Sequence, residues 1–142
     1  MRNINLNESV WQIATTKVIT VFADTPIEDI KEMFKINNFH HIPVVDTGGL
    51  LKGIISSADL IKVEKLLTLS QFENRKFTAE IVMTAFPFFL NPDDTIMEAI
   101  ELFVENRFHA LPIVEDGILT GIVTTHDILE MTLKLPELVV ED

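Results

Sequence analysis

Two short segments carry the residues best suited to hold a ligand. Gly53-Ile54-Ile55-Ser56-Ser57-Ala58-Asp59 returns as Gly121-Ile122-Val123-Thr124-Thr125-His126-Asp127. Each reads as glycine, two apolar residues, a hydroxyl, two variable residues and an acid. The apolar pair predicts the end of a strand, and the hydroxyl predicts the start of a helix. The first N–H groups of a helix have no intrahelical partner, and with the helix dipole they attract phosphate. The hydroxyl of Ser56 or Thr124 can add a donor to a phosphate oxygen. Asp59 or Asp127, about one turn on, can accept two hydrogen bonds from a ribose diol, as acidic residues do in dinucleotide-binding folds. Gly53 and Gly121 would let the backbone pass close to a ligand. The same spacing also fits a capping box, in which the hydroxyl caps the helix and the acid returns the bond. Spacing alone leaves both readings open.

Other polar residues give weaker signals. His40 and His109 precede strands at equivalent places, and no histidine spacing matches a zinc signature. Glu28-Asp29 and Asp93-Asp94 fall at helix starts, where the dipole favours acids without any further role. The sequence has no Gly-x-Ser-x-Gly elbow, P-loop, His-Glu-x-x-His or Gly-x-Gly-x-x-Gly. With no nucleophile–base signature, the expectation is a binding protein and not an enzyme, with no catalytic residue, no metal and no required cofactor.

The elements that must position these corners are themselves duplicated. Phe39-His40-His41-Ile42-Pro43-Val44-Val45-Asp46 returns as Phe108-His109-Ala110-Leu111-Pro112-Ile113-Val114-Glu115. Thr15, Asp24, Ile27, Glu32, Phe34 and Asn37 return at the same offset as Thr84, Asp93, Ile96, Glu101, Phe103 and Asn106. The second copy then loses one residue in a turn, which a structural duplication tolerates. Each copy predicts an extended segment (Lys17 to Phe22; Phe88 to Leu90), then a helix (about Pro26 to Asn37; about Thr95 to Asn106). Two short strands follow (Ile42 to Val45 and Leu51 to Ile55; Leu111 to Val114 and Ile118 to Val123). Glycine-containing turns join them, and a second helix starts near Ser57 and near Thr125. A short leading helix is expected over Asn7 to Ala14 with Asn7 as its cap, matched in the second copy by Thr78 to Met83. The fold class is α+β, a mixed α/β arrangement of β-α-β-β-α twice, related by a pseudo-two-fold axis. Residues 1–72 would form the first unit with the leading helix and 73–142 the second, divided by the polar stretch Ser70 to Phe77, together one compact pair.

The composition narrows the partners. The 142 residues carry 22 acids against 11 Lys and Arg, a formal charge of -11. That argues against nucleic acids and anionic membrane surfaces, which are held by clustered cations. A small anion remains possible, because a few backbone N–H groups can hold it whatever the net charge. There is no cysteine, so no disulfide, thiolate nucleophile or iron–sulfur cluster. Met1 to Glu8 lack the apolar core of a signal peptide, and no apolar run suggests a membrane span. The expected location is the cytoplasm. Leu60, Ile61, Val63, Leu66, Leu67 and Leu69 spread too widely around their helix for one core stripe, which points to a homodimer interface; the helix from Asp127 to Leu133 points the same way.

The chain resembles a tandem pair of cystathionine β-synthase-type (CBS) domains over roughly Gln12 to Leu133. The match is carried by His-Ile-Pro-Val-Val-Asp and Ala-Leu-Pro-Ile-Val-Glu, each followed by its glycine-to-aspartate corner, with Met83-Thr84 opening the second unit. The resemblance implies a stand-alone regulatory module that senses an adenosine-containing ligand, such as AMP, ADP, ATP or S-adenosylmethionine, in clefts between its units. It implies ribose contacts at Asp59 and Asp127 and phosphate contacts at Ser56 and Thr124. The segments around Thr15-Thr16-Lys17 and Thr84-Ala85-Phe86 would flank the base together with His41-Ile42 and Ala110-Leu111. Where the family often has Arg or Lys, this chain has His41 and Ala110; His126 could compensate for Ala110. Phe86-Pro87-Phe88-Phe89 could line a cleft or fill it. The resemblance also implies association of pairs and an effector protein that reads the bound state. The alternative is a ligand-free dimerisation or interaction scaffold on the same fold.

Overall fold

The structure, a computed structural model, describes residues 5–69, 77–106 and 108–134. The stretch expected to separate the units lies outside them, apart from Phe77. The fold is a mixture of helix and strand in the expected order, twice. In the first copy Val21 bridges Val44 in parallel, ahead of α1 (Ile27–Ile36), β1 (His41–Val45), β2 (Leu51–Ser56) and α2 (Ser57–Leu69). Next come α3 (Ala79–Val82) and a two-residue strand, β3 (Thr84–Ala85). In the second copy Leu90 bridges Ile113 in parallel, ahead of α4 (Ile96–Asn106), β4 (Ala110–Glu115), β5 (Ile118–Thr124) and α5 (Thr125–Lys134).

Local chemistry explains the boundaries. Thr95 and Glu98 open α4 with a reciprocal capping box, each backbone N–H donating to the other's side chain at 3.1 Å. Pro26 stands just outside α1 as its cap, and not at the first helical position that the sequence suggests. Asn37 closes α1 by donating to the Met33 carbonyl at 2.9 Å, and Asn106 closes α4 on the Leu102 carbonyl at 3.1 Å. Each satisfies a carbonyl that the helix end leaves open. In the hairpin turns, Gly49, Asp116 and Gly117 adopt positive φ of 86°, 53° and 83°. Two successive positive-φ residues, Asp116 and Gly117, suit the tight turn between β4 and β5.

The leading segment does not form the helix expected over Asn7 to Ala14. It holds one 3-10 turn, Val10–Gln12, capped by Ser9 and not by Asn7. Its backbone is engaged elsewhere. Val10 donates to the Asp94 carbonyl at 2.7 Å, Ile96 to Glu8 at 3.0 Å and Met97 to Leu6 at 2.9 Å. Carbonyls that receive α4 donors in this way are not available to a helix of their own.

The compact units therefore differ from the two halves of the sequence. Among the described residues, one contains 5–17, 88–106, 108–116 and 120–134; the other contains 18–69, 77–87 and 117–119. The stretch ahead of the first repeat packs with the elements of the second. Each unit has its own core. In the unit built on the first repeat, Ile30, Ile42, Val44 and Ile55 are fully buried. In the other, Val10, Ala99, Ile113 and Val123 are. Val10 of the leading segment thus belongs to the second repeat's core.

Gly53 sits mid-strand where β3 crosses close to β2. A Cβ there would lie 2.7 Å from Met83 Sδ and 2.8 Å from the Thr84 carbonyl oxygen. Gly53→Ala is expected to lower stability by about 1–3 kcal/mol through overpacking. Gly48→Ala, whose nearest neighbour would be Asp46 Oδ1 at 3.4 Å, serves as the near-neutral control. Equal urea midpoints for the two variants would refute the close-approach account.

Candidate functional site

The first corner lies where β2 ends and α2 begins. In the antiparallel β1–β2 register, His41 stands opposite Ser56 and Ile42 opposite Ile55. The Ser57 N–H donates to the His40 carbonyl at 2.9 Å, so the helix begins as the strand ends, without a loop. Ser56 Oγ accepts from the Asp59 N–H at 3.1 Å. The half-buried Asp59 carboxylate takes no hydrogen bond or ion pair from any described residue. On the other edge of β2, β3 pairs antiparallel, with Gly53 opposite Ala85 and Ile54 opposite Thr84. Thr84 and Ala85 are exposed. The corner thus brings together His41, Ser56, Asp59, Thr84 and Ala85 within one compact unit.

The second corner repeats the plan with one difference. The Thr125 N–H donates to the His109 carbonyl at 3.0 Å, and Thr124 Oγ1 accepts from the Asp127 N–H at 3.1 Å. Here the carboxylate folds back, and Asp127 Oδ2 accepts from the Thr124 N–H at 2.8 Å. This is the complete capping box that the spacing also allowed. Burial raises the Asp127 carboxyl above its ordinary value, opposed by the two Thr124 bonds; Glu130 pushes it further up and His126 pulls it down. The part played by β3 at the first corner falls here to Thr15, which exchanges two backbone hydrogen bonds of 2.9 Å with Ile122. Lys17, two residues on, is exposed and makes no ion pair among the described residues. His126 is bonded through Nε2 to Glu130 Oε1 at 3.0 Å, both side chains being largely exposed.

Several expectations change in detail. The backbone that passes close to Gly53 and Gly121 is the chain's own, not a ligand's: the Thr84 carbonyl in one case, and in the other the Thr15 carbonyl, 3.1 Å from a Cβ placed on Gly121. Ile42 and Leu111 lie in the two cores, 0% and 1% exposed, so what they can offer a base is backbone. Phe86 is 90% exposed with a φ of 50°, and Phe88 packs on Phe108, ring centroids 5.1 Å apart. Sequence reasoning set Thr84-Ala85 and the Thr15 segment at equivalent places but missed that they pair with β2 and β5. The available signal was a glycine in the middle of each apolar strand, which marks a close backbone approach. Among the described residues, no cluster of His, Asp and Glu could hold a metal ion, and no helix is long and apolar enough to cross a membrane.

The Asp127 environment has a consequence for stability. With its folded value raised above the unfolded 3.8, the native state holds the proton to higher pH than the unfolded chain does. This group's contribution is therefore neutral below 3.8 and becomes unfavourable as pH rises through the folded value. Asp127→Asn removes that cost. Its stability relative to the parent is expected to improve between about pH 3 and about pH 7, followed by urea unfolding at each. A relative loss over that interval would contradict the assignment.

Comparison with known proteins agrees with this geometry. The family model described as "CBS domain" matches twice, at residues 10–65 and 79–134. A CBS domain-containing protein of Dictyostelium discoideum is 30% identical over 139 residues, covering 90% of this chain and 93% of its own length. The crystal structure of CBSX2 in complex with AMP shares 26% identity at a TM-score of 0.76, over 89% of this chain and 96% of that one. The CBS domain pair of protein MJ0100, in complex with 5'-methylthioadenosine and S-adenosyl-L-methionine, shares 27% identity at a TM-score of 0.76, over 87% of this chain and 94% of that one. The duplicated strand–helix corners, the repeated order of elements and the double family match lead to one conclusion: the chain belongs to the CBS domain family.

Proposed function

We propose that the protein is a regulatory module that binds an adenosine-containing ligand, AMP, ADP, ATP or S-adenosylmethionine, at its two strand–helix corners. The observation that carries this reading is the make-up of each corner. A helix N-terminus, a hydroxyl and an aspartate meet beside a short extended segment that belongs in sequence to the opening of the other repeat. The positive end of the helix suits a phosphate or a comparable polar group, and the aspartate suits a ribose diol. Related CBS pairs of similar length are known with AMP and with S-adenosylmethionine bound. Ser56 and Thr124 are the phosphate contacts in this reading, Asp59 and Asp127 the ribose contacts, and Thr84-Ala85 and the Thr15 to Lys17 segment the base-flanking elements.

The exchange of opening segments gives such a ligand a route to regulation. A nucleotide touching both a corner and its flanking segment links residues from the two repeats. It would favour whichever conformation holds them at binding distance, by no more than its difference in affinity between states. A partner protein could read that conformation. No step of catalysis is assigned to any residue, and the reading implies a cytoplasmic module.

A second reading has a specific observation behind it. On α2, Ile61 is 53% and Leu66 66% exposed; on α5, Leu129 is 62% and Leu133 86% exposed. Apolar side chains left in water on two helices suit self-association, with or without a ligand.

Titration calorimetry with AMP, ATP and S-adenosylmethionine tests the first reading. Heat of binding and a raised melting temperature are expected with at least one of them. Silence from all three at millimolar concentration would remove the sensor and leave the scaffold. Light scattering tests the second reading: a homodimer is expected, and a monomer at micromolar concentration would refute it.

A further inference from the structure

Resting on the reading of both corners as ligand sites, we infer that the two are unequal: the Ser56–Asp59 corner fills first, and the Thr124–Asp127 corner fills only at a ligand concentration at least about tenfold higher. The inference deepens that reading by assigning an order of occupancy.

The two corners match in their backbone and hydroxyl. Ser56 Oγ and Thr124 Oγ1 each accept from the aspartate N–H at 3.1 Å, so each hydroxyl proton remains able to donate to a ligand oxygen. They differ in the carboxylate. Asp127 already accepts the Thr124 N–H at 2.8 Å, whereas no described residue bonds the carboxylate of Asp59. A ribose diol offers two donors and is held best by a carboxylate with both oxygens available. At the second corner, one oxygen is committed to a charge-assisted bond with a backbone amide. Docking the diol there must share or break that bond, and a broken bond leaves the Thr124 N–H without its partner. At the first corner no bond from a described residue to the Asp59 carboxylate has to be displaced.

The electrostatic setting acts in the same direction. Burial and the neighbouring Glu130 both disfavour the charged form of Asp127, which is the form that accepts best from a diol. His126, in the first turn of α5, is itself bonded to Glu130. Lys17 adds a positive charge near the second corner, but it is solvent-exposed, where screening leaves such a charge little weight.

Titration calorimetry of the full chain with AMP tests the order. The parent is expected to show two steps separated by about tenfold or more in Kd, or one step with the weaker lying beyond reach. Asp59→Ala should abolish the tighter step, and Asp127→Ala should leave it within about twofold. Circular dichroism checks that each variant is folded, and the near-isosteric Asp59→Asn takes over if Asp59→Ala is not. Two equal steps in the parent would overturn the inference while sustaining the proposed function. Loss of the tighter step in Asp127→Ala would overturn it too. Absence of any AMP binding in the parent would overturn the inference together with the AMP assignment on which it rests.

Discussion

Backbone lies against backbone at two glycines, and much of the molecule follows from it. A Cβ on Gly53 would meet the Thr84 carbonyl oxygen at 2.8 Å, and one on Gly121 would meet that of Thr15 at 3.1 Å. Ordinary Cβ atoms do not come as close as the contact at Gly53, and the one at Gly121 is tighter than most, so glycine eases both approaches and is required at the first. The crossing segments satisfy polar edges of β2 and β5 that would otherwise face solvent unpaired. They also come from the wrong repeat: Thr84 opens the second copy and joins the first, and Thr15 opens the first copy and joins the second. The units are thus exchanged at their openings, and neither half of the sequence carries a complete core.

That exchange gives the corners their functional interest. A strand running directly into a helix presents N–H donors, a hydroxyl and an acid, and by itself this is also how proteins cap helices. At Thr124 and Asp127 the capping reading is realised in full, with both reciprocal bonds formed. At Ser56 and Asp59 it is realised by half. Capping and ligand binding draw on the same atoms, so the two roles compete, and the geometry shows how far each corner is already committed. Structural duplication copied the residue types without copying the hydrogen-bonding state.

The apolar residues divide between two tasks. Ile30, Ile42 and Ile55 in one unit, and Ile113 and Val123 in the other, are withdrawn from water entirely, at roughly 1.5–3 kcal/mol for each buried side chain. Ile61, Leu66, Leu129 and Leu133 are not, although they belong to the same helices as the buried Leu60 and Met131. A small domain encloses only part of its apolar surface, and α2 and α5 carry more than one face can hide. The surplus explains the positive mean hydropathy of a chain that is also strongly acidic.

The repeat, the β-α-β-β-α order and most element boundaries were legible because they rest on local signals. Apolar periodicity marks α1 and α4, turn glycines mark the hairpins, and hydroxyl–acid spacing marks the starts of α2 and α5. The same signals located Ser56, Asp59, Thr124 and Asp127. They could not show that Ile42 and Leu111 point inward, since an apolar strand buried on both faces has no alternation to read. Nor could they show that Asn7 to Ala14 forgoes its helix, because its backbone bonds go to the start of α4, far along the chain. Sequence by itself determined which residues form the corners, since that depends on neighbours a few positions apart. Tertiary structure decided which opening segment completes each corner, since Thr84 meets β2 and Thr15 meets Ile122 across separations that local pattern does not encode; it also decided which carboxylate is left open, since one and the same three-residue spacing lets Asp127 close on the Thr124 N–H and leaves Asp59 without that bond.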